Sequence, residues 1–381
     1  MKQEYAYWMA LAHLPKMSNK TKNDLIIKSL QEGYSIIDLF QLDIINLKTN
    51  YLLNDNEITL LEESKKELAN YAFIVEDLLE QGYEIIPITS ENYSSILKNN
   101  LKRAYSPPVI YAKGNKQLLK EKSVAIVGSR EASETALKFT DNIAKEASKS
   151  FKVVVSGFAK GVDKQALDSA IQYNGQSIIV LPQGIMTFDS GYKKYYKQII
   201  DGNVIVLSTF FPKAPWNVKL AMARNPIIYG LAEEIYVAES SEKGGTWSGV
   251  IDGLRKGRKI FVRKPETGEK NANNMLIEKG ALPVDMFGNI VEQIKYEQVE
   301  MPNQVVAESK NESVETKIYE LLNKGEYTSE EIIKILNLDW DNKKLTSFLK
   351  SHAMVQTINK KPLKFTIKQS EELSLFNQQS N

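Results

Sequence analysis

A doubly wound, mainly parallel α/β sheet, flanked by a helical segment and a small C-terminal domain, is the architecture this sequence predicts, on three observations. Six short runs rich in Val and Ile (VAIVGS, KVVVSG, QSIIVLP, NVIVLSTFF, EIYVAES and KIFVRK) recur between residues 123 and about 290. Between them lie stretches of helical period: SETALKFTDNIAKEASKS, VDKQALDSAIQYNG, GYKKYYKQIIDG and TWSGVIDGLRKG. Three of the runs lead into glycine-bearing loops, two of which open a helix. Unbroken aliphatic runs suit strands covered on both faces, and their alternation with helices is the pattern of a Rossmann-like sheet.

The flanks follow from the same reading. Residues 1–82 are helical, with YAYWMALAHL, KTKNDLIIKSL and EITLLEESKKELANYAFIVEDLLEQG at helical spacing and Gly82 as a terminating glycine. YEIIPI and VIYA, the latter behind Pro107 and Pro108, predict an antiparallel extension that opens an α/β domain over 83–292. Residues 293–312 are polar and read as a linker. Over 313–368, VETKIYELLNKG, TSEEIIKILNL and NKKLTSFLKSH followed by MVQTI and LKFTI predict three helices and a hairpin, a winged-helix shape; 369–381 is expected to be a disordered tail.

Composition narrows the chemistry. The chain has no Cys, which excludes disulfides, Cys-based zinc sites and thiolate catalysis. Its two histidines, His13 and His352, fall in different predicted domains, so neither a His-rich metal site nor a Ser-His-Asp triad is expected. No cofactor or metal is implied. With 49 Lys and Arg against 47 Asp and Glu, the net charge of +2 does not mark a polyanion binder, so nucleic-acid binding would have to rest on a local basic surface. Neither a signal peptide nor a membrane span is evident, and a cytoplasmic location is the expectation.

Three loops carry the candidate site. Gly128-Ser129-Arg130 follows the first strand, Ser156-Gly157-Phe158-Ala159-Lys160-Gly161 follows the second, and Gly244-Gly245-Thr246 follows EIYVAES. Ligands of open parallel sheets bind beyond the carboxyl ends of the strands, where glycine admits phosphate to helix N-termini and Arg can clamp it. Each loop alone also fits a plain turn; three on one edge favour a polyanion-binding edge. Asp163 is expected to cap or support its helix. The run from Tyr192 to Lys197 interleaves aromatics with Lys193 and Lys194, as single-strand binders do, although Tyr195 and Tyr196 equally suit packing. Arg255, Lys256, Arg258, Lys259, Arg263 and Lys264 form a second basic run, which a solvated face explains.

VAIVGSR, VVVSGFAKGVDKQAL, SIIVLPQGI, LSTFFP and ARNPIIYGLA, in this order, resemble the core of the DNA-processing protein A (DprA/Smf) family over about residues 80 to 290. The resemblance implies single-stranded-DNA binding by a homodimer that delivers the RecA recombinase onto the strand in natural transformation. It also implies a SAM-like helical domain and a winged helix at the two ends, and it adds Arg224 and Asn225 to the candidate DNA-binding residues. The sequence departs from the family pattern at Ala221-Met222-Ala223-Arg224-Asn225-Pro226, which lacks the family's second Arg, and at Gly244-Gly245-Thr246-Trp247, in place of a Ser-Gly-Ser-Leu type of loop. It departs again at Met186 and Phe188-Asp189-Ser190, and at Pro15-Lys16-Met17-Ser18, where a glycine hairpin is common. These mark a divergent member.

Two other readings compete. One is a nucleotide-processing phosphoribohydrolase of the Lonely Guy type, and the other a sensor of a nucleotide-derived signal in antiviral defence. Hydrolysis wants a positioned acid or base, yet Thr246 is followed by Trp247-Ser248-Gly249-Val250 without a carboxylate. Asp163, Glu239 and Glu242 are the remaining candidates and lack the hydrolase spacing, so no catalysis is expected. A dinucleotide-dependent dehydrogenase is weaker, since no G-x-G-x-x-G follows the first strand.

Overall fold

The computed structural model describes residues 2–291 and, beyond them, 318, 321–322, 325–338, 340–351, 355–360 and 363–367. The expected linker over 293–312, the tail over 369–381, most of the expected helix over 313–324, and His352 lie outside the described residues. The chain divides into two compact units, Met1–Lys295 and Tyr296–Asn381.

Six helices begin the first unit: α1 (Lys2–Ala12), α2 (Asn19–Gln31), α3 (Ile36–Gln41), α4 (Ile44–Thr49), α5 (Asp55–Lys66) and α6 (Leu68–Glu80). The short α3 and α4, which periodicity did not disclose, are set by their caps. Ser35 and Asp38 form a reciprocal capping box, and Asp43 accepts from the Asn46 N–H. The long stretch expected as one helix breaks at Glu67 into α5 and α6, and Gly82 follows with φ +74°. A 2.8 Å hydrogen bond joins His13 Nε2 to the Tyr111 hydroxyl, with Phe211 edge-on to the imidazole. That contact ties the helices to the sheet, and burial lowers the His13 pKa to about 3.

The nine-stranded sheet runs in the order β1-β2-β6-β5-β4-β3-β7-β8-β9. Its strands are β1 (Glu84–Pro87), β2 (Val109–Gly114), β3 (Ser123–Val127), β4 (Val153–Ser156), β5 (Ser177–Val180), β6 (Val204–Ser208), β7 (Glu234–Val237), β8 (Ile260–Arg263) and β9 (Leu282–Val284). β1 pairs antiparallel with β2 and β2 with β6, the expected extension; every other pairing is parallel. From β3 the chain builds outward to β6, then returns to add β7 on the other side. The order therefore reverses between β3 and β7, where open α/β sheets bind ligands.

Side chains alternate between two cores, as the two-residue period of a strand requires. Val124, Ile126, Val154 and Phe261 pack with Phe139 and Ile143 of α8 (Glu134–Lys149) and Ala166 of α9 (Val162–Gln172). Ala125, Val127, Val155 and Val262 face the opposite core with Ile227 of α11 (Val218–Leu231) and Val250 of α12 (Gly245–Arg255). Burying each such Val, Ile or Phe side chain stabilises the fold by about 1.5–3 kcal/mol. The remaining helices are α7 (Ser95–Tyr105), α10 (Asp189–Ile200) and α13 (Asn273–Glu278). α11 carries Pro226 in its interior, and burial of Ile227, Ile228 and Leu231 holds it helical despite the lost N–H.

In the second unit, β10 (Tyr327–Thr328), β11 (Val355–Lys360) and β12 (Leu363–Ile367) form an antiparallel sheet in the order β10-β12-β11. With α14 (Ser329–Leu336), opened by a Thr328–Glu331 capping box, and α15 (Asn342–Ser351) they enclose Ile332, Leu345, Leu349 and Phe365. Among the described residues no helix is long and apolar enough to cross a membrane.

Candidate functional site

The three glycine loops lie together at the carboxyl edge of the sheet, across the point where the strand order reverses. Gly128-Ser129 is their hub. The Ser129 N–H donates to the Glu239 carbonyl at 2.9 Å, and the Ser129 carbonyl accepts from the Val162 N–H at 3.2 Å. The Thr246 hydroxyl donates to the Gly128 carbonyl at 3.0 Å. The loops after β3, β4 and β7 are thus fixed to one another by their main chain. Gly161 sits at φ +83°, and a Cβ there would fall 2.4 Å from the Ser129 carbonyl oxygen, so only glycine closes this junction.

Arg130 and Lys160 stand exposed on the first two loops, and Lys243 is exposed beside Gly244. Behind them lies the start of α12, whereas at α9 the Val162 and Lys164 N–H groups are already taken by the Ser129 and Ala159 carbonyls. Neither α9 nor α12 has a side-chain cap, their cap residues being Gly161 and Gly244. α8, by contrast, is capped by Ser133. Uncapped first-turn N–H groups at the positive end of a helix dipole are an anion site.

Other predicted residues lie beneath this surface. The Ser156 hydroxyl donates to the Ile126 carbonyl at 2.7 Å and links β4 to β3. Arg224 is only 4% exposed. Its Nη1 passes against Gly157 and donates to Asp163 Oδ2 and the Val180 carbonyl, each at 3.4 Å. Asp163 therefore supports the loop through an ion pair as well as starting α9. Burial raises its carboxyl above the usual 3.8, and the Arg224 charge opposes that rise. Burial likewise lowers the Arg224 guanidinium, opposed by Asp163. Asn225 Nδ2 reaches the Gly245 carbonyl at 3.4 Å and joins α11 to α12. Beside that junction a cleft of about 180 Å³ is lined by Asn225, Tyr229, Gly245, Ser248, Gly249 and Asp252, among others.

Lys193 and Lys194 sit on α10, whose Tyr195 ring packs edge-on against Phe158 of the second loop. Lys193 is exposed, whereas the Lys194 ammonium is held by both carboxylate oxygens of Asp168, at 2.6 and 2.8 Å. Tyr195 is buried with its hydroxyl on Asp168, and Tyr196 is 66% exposed. In the second basic run Arg255, Lys256, Lys259 and Lys264 are exposed, as a solvated face requires, while Arg258 is half-buried and Arg263 departs from it. Arg263 is fully buried, bound bidentately to Glu269 at 2.9 and 2.5 Å and to the Ala238 carbonyl. Arg258 donates to the Ala232 carbonyl, and Lys256 pairs with Asp252. Such pairing is what lets a guanidinium be buried.

Of the carboxylates weighed as acids or bases, Glu239 accepts from both the N–H and the hydroxyl of Ser133 and Asp163 is taken by Arg224. Glu242 is exposed. Two features escaped the sequence reading. One is Lys243, a single cation that only the loop's geometry marks. The other is Trp216, whose 51% exposure no pattern of residues discloses.

Residues 84–295 match the family described as DNA recombination-mediator protein A. The chain is 31% identical over 225 residues to the DNA processing protein DprA of Bacillus subtilis, an alignment of 56% of this chain with 72% of that protein. It is 30% identical over 201 residues to the Streptococcus pneumoniae DprA, covering 52% and 71%. The X-ray structure of DNA processing protein A from Streptococcus pneumoniae superposes with a TM-score of 0.57 at 25% identity, over 74% of this chain and 94% of that one. With more than half of its length matched and the parallel sheet shared, the chain belongs to the DNA recombination-mediator protein A family, the DprA/Smf proteins.

Proposed function

We propose that this protein is a single-stranded-DNA-binding recombination mediator whose strand runs across the carboxyl edge of the sheet. The observation that carries the reading is the pairing of the uncapped start of α12 with exposed Arg130, Lys160 and Lys243 on loops locked together by their main chain. First-turn amides of α12 and the three cations bind phosphates, while Gly128, Gly161 and Gly245 let the backbone come close. Arg224, Asp163 and Ser156 hold the loops from below. The edge reads no sequence, since phosphate contacts position a strand without specifying it.

Family resemblance extends the reading to a cytoplasmic homodimer that protects incoming or exposed single strands and loads RecA, as in natural transformation. It also supports a SAM-like reading of residues 1–82 and a winged-helix reading of the second unit. No catalytic step is assigned. The engagement of Glu239 by Ser133 and of Asp163 by Arg224 weighs against the nucleotide-processing alternative.

Titrating the protein with single-stranded DNA, duplex of the same length and nucleoside phosphates tests this. The reading expects the single strand to bind most tightly and to weaken steeply with salt, because phosphate binding releases counterions. Preference for duplex, or tight salt-insensitive binding of a nucleoside phosphate, contradicts it.

A further inference from the structure

Three apolar side chains stand in water at the start of α11, where Met222 borders the third glycine loop: Trp216 at 51% exposure, Val218 at 62% and Met222 at 43%. Scattered exposed hydrophobics need no explanation, but these fall within seven residues, at the entry and first turns of α11. The backbone that presents Trp216 is fixed on both sides. Before it, the Pro212 carbonyl accepts from the Met186 N–H at 3.0 Å and the Ala214 carbonyl from the Gly184 N–H at 2.8 Å. After it, Asn217 caps α11 by accepting from the Leu220 N–H at 2.9 Å. An apolar residue just before a helix cap ordinarily packs on the fourth helical residue. Here that residue is Ala221, whose methyl is too small to cover an indole.

Val218 and Met222, four residues apart, share one face of the helix. The Met222 sulfur lies 3.4 Å from where a Cβ on Gly245 would stand, so the ridge abuts the third loop. Exposed Lys219 and Lys243 flank it. Aromatic and apolar side chains beside cations that track a backbone are the arrangement on which unpaired bases stack.

We propose that Trp216, Val218 and Met222 form the base-stacking ridge for the strand whose phosphates lie on the glycine loops, with the indole of Trp216 as the main platform. This rests on the single-strand-binding reading above and deepens it. The ridge requires unstacked, accessible base faces and is indifferent to base identity, so it supplies a preference for single strands over duplex that the phosphate contacts alone do not.

The test measures affinity of the full chain, Trp216→Ala and Trp216→Phe for an oligothymidylate and for an abasic phosphodiester strand of equal length. Trp216→Ala is expected to bind oligothymidylate about tenfold more weakly and the abasic strand as the wild type does, with an unchanged salt slope; Trp216→Phe restores most of the loss. Melting should not move, because the fixed backbone on either side uses no atom of the indole. Wild-type oligothymidylate binding that Trp216→Ala leaves intact, or a loss equal on the abasic strand, overturns the ridge alone. Failure of the wild type to bind either strand overturns the underlying reading and the ridge with it. Loss of self-association in Trp216→Ala, seen by sedimentation, would assign the ridge to a second copy of the chain and also overturn the proposal.

Discussion

The guanidinium of Arg224 runs so close beneath Gly157 that a methyl group at residue 157 would lie 1.4 Å from Nη1. The glycine and the arginine therefore depend on each other. The second loop keeps its path because Gly157 has no side chain, and Arg224 reaches Asp163 because the loop leaves it that path.

Gly157→Ala should accordingly be poorly tolerated. Overpacking of this kind costs about 1–3 kcal/mol, and the displaced guanidinium should disturb the loop bearing Lys160. The urea midpoint is expected to fall and single-strand affinity with it; an unchanged midpoint would show that the loop accommodates the methyl.

Arg224→Met should cost more, about 3–5 kcal/mol, since it leaves the Asp163 carboxylate buried without its partner. Asp163 already has a folded-state pKa above its ordinary 3.8, so its contribution is fully present at low pH and is lost as pH rises through the raised value. Removing the opposing Arg224 charge moves that loss further up the pH scale. The deficit of Arg224→Met should thus shrink as pH is lowered from 7 toward 4, and Asp163→Asn in the same background should recover part of it at pH 7. A deficit independent of pH contradicts this assignment.

His13 predicts acid sensitivity of the first unit. Its folded pKa of about 3 lies below the ordinary 6.5, so the unfolded chain takes up the proton first. The stability it contributes is fully present above pH 6.5 and drains away as pH falls toward 3, by a few kcal/mol at most. His13→Gln cannot titrate, and its urea midpoint should vary less with pH over this window than that of the wild type. Parallel pH profiles would remove His13 as the cause.

What could be read before the structure was known follows the physics of burial. The six strands of the α/β core were legible because both faces are covered, which leaves aliphatic runs that no other element produces. α11 was not read as a helix, since Pro226 is a breaker and only tertiary packing overrides it. Arg130, Arg224 and Arg263 are alike as residues, and nothing adjoining them in sequence tells which one meets solvent. One is exposed, one is folded under Gly157 and one is buried on Glu269. Lys194 likewise gave no sign of Asp168, 26 residues earlier. Loop positions were readable; the solvent side of each loop was not, because exposure depends on elements distant in the chain.

The salt dependence of single-strand binding by the double variant Arg130→Ala/Lys160→Ala tests the central claim most directly, because it counts the phosphates held at this edge. Both residues are exposed on loops whose geometry is set by main-chain bonds, so the variant should melt as the wild type does. Each lost phosphate contact should reduce the slope of log affinity against log salt by about 0.7, or about 1.4 for the pair. That reduction, with weaker binding at every salt concentration, is the predicted result. A normally folded double variant with the wild-type slope and affinity would place the strand elsewhere and contradict the account.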